Sequence, residues 1–149
     1  MATAAAGVAA ALSPLSGRDY LSSADCSAEE TVALLDLAAQ LKSGDRRIDL
    51  GNRVLGLIFT KASTRTRVSF QVAMARLGGQ TVDLYPSVTQ LGRGEPLADT
   101  ARVLSRYCDV LAIRTFAQQE LVDYAYWASV PVINALTDLE HPCQALADF

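Results

Sequence analysis

The chain has 149 residues, of which 50% are apolar and 19% charged, with 13 Lys and Arg against 16 Asp and Glu. That is one domain of ordinary size with enough apolar mass for a packed interior, so disorder is excluded as its general state. A net charge of −3 argues against a general nucleic-acid or membrane-surface binder, and no window approaches 18 unbroken apolar residues, so no membrane span is expected.

Residues 1–14 are mostly Ala and small residues, with no early Lys or Arg. They fit neither a signal peptide nor a transit peptide, and a disordered or low-information terminus is expected, with the domain running over 15–149. Ser27-Ala-Glu-Glu30 is a capping-box pattern that should open an N-terminal helix. Leu34, Leu37, Ala38 and Leu41 then fall on one helical face, and Gly44 should end the helix. This helix reads as packing and carries no chemistry.

The apolar run over 54–59 predicts a strand covered on both faces. A polar turn and a helix over about 66–77 follow, closed by Gly78 and Gly79. A second strand is expected over 80–85, and Pro96 should be the first residue of a helix reaching about 107. The third strand is expected over 110–113, the third helix of this alternation over 118–128 and the fourth strand over 131–135. Pro142 should open a last helix. Four alternations of this kind predict an α/β fold, an open doubly wound parallel sheet of four strands with flanking helices.

Cys26, Cys108 and Cys143 are far apart and odd in number, which is neither a disulfide framework nor a zinc site and suits a reducing cytoplasm. His141 is the one histidine, so imidazole chemistry has a single candidate and a multi-histidine metal site is excluded. Charge is uneven: Arg53, Lys61, Arg65, Arg67 and Arg76 lie in a stretch with no acid between 53 and 82. Three of these cations fall between the end of the first strand and the start of a helix, where free N–H groups and the helix dipole favour an anion. Ser63, Thr64 and Thr66 add hydroxyl donors, and Arg65 can fork onto a phosphate.

Taken alone, a Ser-Thr-Arg string is more often a solvated helix cap, while Arg114 could as readily be an ion-pair partner, His141 a helix cap and Gln144 an ordinary first-turn residue. Convergence argues otherwise. Ligands of open α/β sheets sit outside the carboxyl ends of the strands, and three strand ends place Arg65, Arg114, His141 and Gln144 on one rim. They describe a pocket for a small dianion with an attached polar group. A different phosphate enzyme on the same fold is disfavoured, since neither G-x-x-x-x-G-K-[ST] nor G-x-G-x-x-G occurs.

Three stretches carry a resemblance. Phe59-Thr-Lys-Ala-Ser-Thr-Arg-Thr-Arg-Val-Ser-Phe70, Asp99-Thr-Ala-Arg-Val-Leu-Ser105 and Val130-Pro-Val-Ile-Asn-Ala-Leu-Thr-Asp-Leu-Glu-His-Pro-Cys-Gln-Ala-Leu-Ala-Asp148 closely resemble the carbamoyl-phosphate half of the ornithine carbamoyltransferases. The likeness runs in order from about Leu15 to Phe149. Lys61 and the Asn-Ala-Leu-Thr-Asp stretch favour ornithine over aspartate, while putrescine carbamoyltransferase is a close alternative; a non-catalytic phosphate-ligand or assembly module is the alternative outside enzymes.

The resemblance implies that Ser63, Thr64, Arg65 and Thr66 hold the phosphate of carbamoyl phosphate. It implies that Arg114 bridges phosphate and carbonyl oxygen, that His141 donates to that oxygen, and that Gln144 and the Leu136 carbonyl fix the carbamoyl amino group. Thr66, Arg114 and His141 would stabilise the tetrahedral intermediate, with no cofactor and no metal required. It further implies a homotrimer in which Gln90, in the 86–95 loop, reaches a neighbour's site, and a second domain for the amine, ornithine, that this chain does not match. The chain alone is therefore expected to be inactive. Gln71 stands where the pattern has Glu.

Overall fold

A computed structural model describes residues 10–85 and 94–149. The strands are β1 (Val54–Phe59), β2 (Gln80–Leu84), β3 (Val110–Arg114) and β4 (Val132–Leu136), and the helices α1 (Ala28–Ser43), α2 (Arg65–Arg76), α3 (Leu97–Leu104), α4 (Gln118–Trp127) and α5 (Pro142–Ala147). The strands form one parallel sheet in the order β2-β1-β3-β4. The predicted α/β fold with an open four-stranded parallel sheet is what the chain adopts.

Alternation within β1 separates two cores. Leu55, Leu57 and Phe59 pack on one face with Ala112 and Ala135, against Phe70 and Met74 of α2. Ile58 lies on the other face with Ile113 and Val132, against Ala101 of α3 and Leu121 and Tyr124 of α4. Helices thus cover both faces, which is why the strands read as unbroken apolar runs. Gly56 permits the close approach of β1 to its neighbours: a Cβ there would sit 2.8 Å from Leu111 Cδ2 and 3.0 Å from Cys108 Sγ. Because α2 leaves β1 on one face and α4 leaves β3 on the other, the strand order reverses between them. A crevice opens at that reversal.

The capping box forms as predicted: the Ser27 hydroxyl accepts the Glu30 N–H at 3.2 Å and Glu30 accepts the Ser27 N–H at 2.8 Å. The expected packing face of α1 is covered less than its periodicity suggests. Ala33 is the one buried residue of the helix, Leu34, Leu37 and Leu41 are half-buried, and Ala38 is exposed. Its ties run to the preceding segment, where Arg18 pairs with Glu30 at 2.8 Å. That segment also protects an edge of the sheet, since Tyr20 N–H donates to the Val132 carbonyl and the Tyr20 carbonyl accepts from Asn134 N–H, both at 2.8 Å.

Other boundaries shift by a few residues. Pro96 is the cap residue preceding α3 rather than its first residue. The helix stops at Leu104, and residues 105–108 continue as turn hydrogen bonds back to Ala101, Val103 and Leu104. Arg114 is the last residue of β3 instead of lying just past it. Among the described residues no helix is long and apolar enough to cross a membrane.

Candidate functional site

The turn from β1 to α2 supplies the first wall of the site. Thr64 is the residue before α2, yet its side chain makes no capping bond. The N–H groups of the first turn, which have no partner inside a helix, are thereby left for an external acceptor. Arg67, one turn in, is committed elsewhere: it pairs with Asp83 at 3.3 Å and lies over the rings of Phe59 and Tyr85. Gln71 donates to the same Asp83 carboxylate. An amide suits that position, because a carboxylate there would face Asp83 as a like charge.

Ser63, Thr64, Arg65 and Thr66 line one cavity with Ala62, Arg114, His141 and Gln144, of about 300 Å³. Three separate strand ends therefore meet, as the rim of donors predicted. Thr66 Oγ1 and His141 Nε2 are 3.4 Å apart across it. An adjoining cavity of about 390 Å³ shares Arg65, Thr66, His141 and Gln144 and extends past Phe70, Ala73 and Cys143.

The cavity brings two guanidinium groups together with an imidazole and three hydroxyls. Among the described residues neither Arg65 nor Arg114 has a carboxylate partner. Arg114 Nε and His141 Nδ1 are buried without a hydrogen-bond partner among the described residues. Burial, and secondarily the Arg114 charge, hold the His141 imidazole below its ordinary value, so it is neutral near pH 7 and carries one N–H. Gln144 donates its amide N–H to Asp148 at 2.8 Å, which leaves Oε1 as its free acceptor. Cys143, between His141 and Gln144, is raised by burial to about 11 and is a thiol, not a thiolate. Among the described residues no group of three His, Cys, Asp or Glu could hold a metal ion.

Two predicted residues stand apart. Leu136, at the end of β4, is not among the lining residues, and its carbonyl accepts the Thr115 N–H at 3.0 Å. One lone pair of that oxygen remains. Gln90 lies outside the described residues. Lys61, which the sequence offered as one of the clustered cations, sits with its Nζ 4.1 Å over the Phe116 ring and ties the loop after β1 to the loop after β3. Sequence reasoning assigned no role to the buried Asn134 or to the half-buried Gln118, an amide pair behind the His141 turn; the one available signal was a polar Asn inside an apolar strand.

Comparison with known proteins gives a consistent pattern. Residues 18–149 match the family model "Aspartate/ornithine carbamoyltransferase, carbamoyl-P binding domain". The chain is 94% identical over its whole length to an ornithine carbamoyltransferase of Parasynechococcus marenigrum, covering 47% of that protein, and 82% identical to one of Prochlorococcus marinus strain MIT 9313, again covering 47%. It therefore spans about half the length of these relatives. The ornithine carbamoyltransferase of Gloeobacter violaceus superposes over 87% of the chain and 42% of its own length, with a TM-score of 0.79 and 60% identity. An aspartate transcarbamoylase of Trypanosoma cruzi, in complex with carbamoyl aspartate and phosphate, covers 89% of the chain and 44% of its own, with a TM-score of 0.81 and 34% identity.

Proposed function

From the premise that the chain belongs to the aspartate/ornithine carbamoyltransferase family, as its carbamoyl-phosphate-binding domain, we propose that the cavity at the strand ends binds carbamoyl phosphate. We propose further that it serves the transfer of the carbamoyl group to L-ornithine, giving L-citrulline and phosphate. The observation that carries this reading is the meeting of Arg65 and Arg114, without carboxylate partners among the described residues, with Thr66, His141 and Gln144 in one small cavity.

The roles follow from donor chemistry. First-turn N–H groups of α2, the Ser63 and Thr64 hydroxyls and the Arg65 guanidinium take the phosphoryl oxygens. Arg114 is long and forked enough to donate to both the phosphate and the adjacent carbonyl oxygen. The Thr66 hydroxyl and the neutral His141 imidazole complete the donor set on that oxygen. Gln144 Oε1, with the remaining lone pair of Leu136, accepts from the carbamoyl NH₂. A neutral amine then attacks the carbonyl carbon, forming the C–N bond, and negative charge gathers on the oxygen facing these donors. Collapse breaks the C–O bond to phosphate, and the amine's surplus proton leaves with the phosphate or to water. Each preorganised donor to such an oxyanion is typically worth about 10²–10³ in rate.

Ornithine is assigned as the amine because the relatives at 94% and 82% identity carry that name. Amine binding is assigned to the part of those relatives that lies outside the aligned half. The family resemblance supports a homotrimer, with Gln90 reaching a neighbouring site, and a cytoplasmic place in arginine biosynthesis. Titration calorimetry tests the binding step. Carbamoyl phosphate should bind more tightly than inorganic phosphate or a sugar phosphate, and Arg65→Ala should abolish the heat. Equal affinity for all phosphate monoesters would overturn the assignment. For the amine, a chain extended to the length of its relatives should form a ureido product with ornithine and not with putrescine or aspartate.

A further inference from the structure

We propose that Asn134 is a positioning residue that splints the strained turn after β4, so that Arg114 and His141 are presented to one cavity; this rests on reading that cavity as a phosphate site. Asn134 is fully buried. The ladder between β3 and β4 loses step beside it: Ile113 pairs with Asn134, but Arg114 pairs with Leu136. Ala135 is the extra residue. Such a bulge bends the strand that carries it and re-aims the chain at its end; here that is the end of β4, which leads to His141, and the β3 residue opposite the bulge is Arg114.

The next residue carries the strain. Leu136 has φ at 142°, the one non-glycine residue with positive φ among the described residues, in a conformation a Cβ disfavours. Backbone of this kind persists where its surroundings over-determine it. Asn134 Oδ1 accepts the Leu136 N–H at 2.8 Å, and the Leu136 carbonyl is pinned from the other side by Thr115. The Asn134 amide N–H group donates to the Leu21 carbonyl at 2.8 Å and lies 3.4 Å from Thr137 Oγ1.

Gln118 closes the frame. Its Oε1 accepts the Thr137 hydroxyl at 2.6 Å, its Nε2 donates to the same Leu21 carbonyl at 3.2 Å, and its backbone N–H donates to Asp138 at 2.9 Å. The turn consequently leaves β4 in one direction, with His141 at the head of α5. Among the described residues Arg114 Nε and His141 Nδ1 have no hydrogen-bond partner, and His141 Nε2 meets Thr66 Oγ1 at 3.4 Å, so the backbone beneath them does much to place both side chains. Asn134 governs that backbone without lining the cavity itself.

The sole histidine makes the test direct, because its ring signals in NMR need no assignment against others. Asn134→Ala, if folded by a cooperative thermal transition, should shift the His141 ring signals of the free 149-residue chain. It should also weaken inorganic phosphate binding about tenfold, roughly the loss of one hydrogen bond to a charged group. Adding Leu136→Gly, which relieves the Cβ penalty at this φ, should restore most of the affinity and the wild-type His141 signals. Should Asn134→Ala fail to fold, Thr137→Val keeps the shape and breaks the frame at Gln118; it should shift the same signals and weaken phosphate measurably. A folded variant with wild-type His141 signals and wild-type phosphate affinity overturns the proposal, as does a double variant no better than the single. A wild-type chain that binds no phosphate overturns the cavity reading and this inference with it.

Discussion

Arg114→Ala separates the two forces acting at the cavity. Arg114 ends β3, is half-buried, and has its Nε buried without a hydrogen-bond partner among the described residues. No acid pairs with it among the described residues, and in the proposed reading the phosphate dianion supplies the opposite charge. A fork onto phosphate makes two charge-assisted bonds of about 1.5–3 kcal/mol each. Discounting for solvent at the cavity mouth, a net loss of about 3 kcal/mol corresponds to roughly 100-fold weaker binding of carbamoyl phosphate. The same change acts on His141, which is held down first by burial and second by the Arg114 charge. Removing the second cause should raise the imidazole pKa towards its ordinary value while burial keeps it below that value. Calorimetry measures the first effect and an NMR titration of the single imidazole measures the second. Binding within about twofold of wild type, or a His141 pKa that falls, would refute the reasoning.

Gly56→Ala should lower stability by about 1–3 kcal/mol through overpacking against Leu111 and Cys108, read as a lower urea midpoint with an unchanged slope. Ser27→Ala should cost about 1 kcal/mol, because one side of the capping box is lost while Glu30 keeps its bond to the residue 27 N–H. The pH dependence has a defined sign. His141 binds its proton less readily folded than unfolded, so its contribution to stability is present above the unfolded value and is lost as pH falls through the folded one. Wild type should therefore lose more stability than His141→Gln as the pH drops from about 7.5 to about 5.5, measured by denaturant unfolding at each pH. An equal loss would contradict the burial of that ring.

Much of the fold was legible because the sheet is covered on both faces. A strand such as β1 must then be apolar throughout, and Leu55 to Phe59 are all buried. Helix ends were less legible, since α3 gives way to turn bonds at 105–108 without any Gly or Pro to mark the change. The face of α1 shows the limit of periodicity. It reports which residues share a side, while the amount of cover depends on what packs there, and Ala38 is exposed. At the site, cations and hydroxyls next to strand ends could be placed on one rim from topology alone. The bulge at Ala135, the φ of Leu136 and the bond that occupies its carbonyl are properties of backbone register. No residue type announces them.

A crystal structure with carbamoyl phosphate, or a stable phosphonate analogue, bound to the chain tests the account most directly. The phosphoryl oxygens should lie within hydrogen-bond distance of the 63–66 turn, Arg65 and Arg114, and the carbonyl oxygen within reach of Thr66, Arg114 and His141. A ligand seated in the apolar extension beside Phe70 and Ala73, or one contacting the turn without Arg114 and His141, would contradict it.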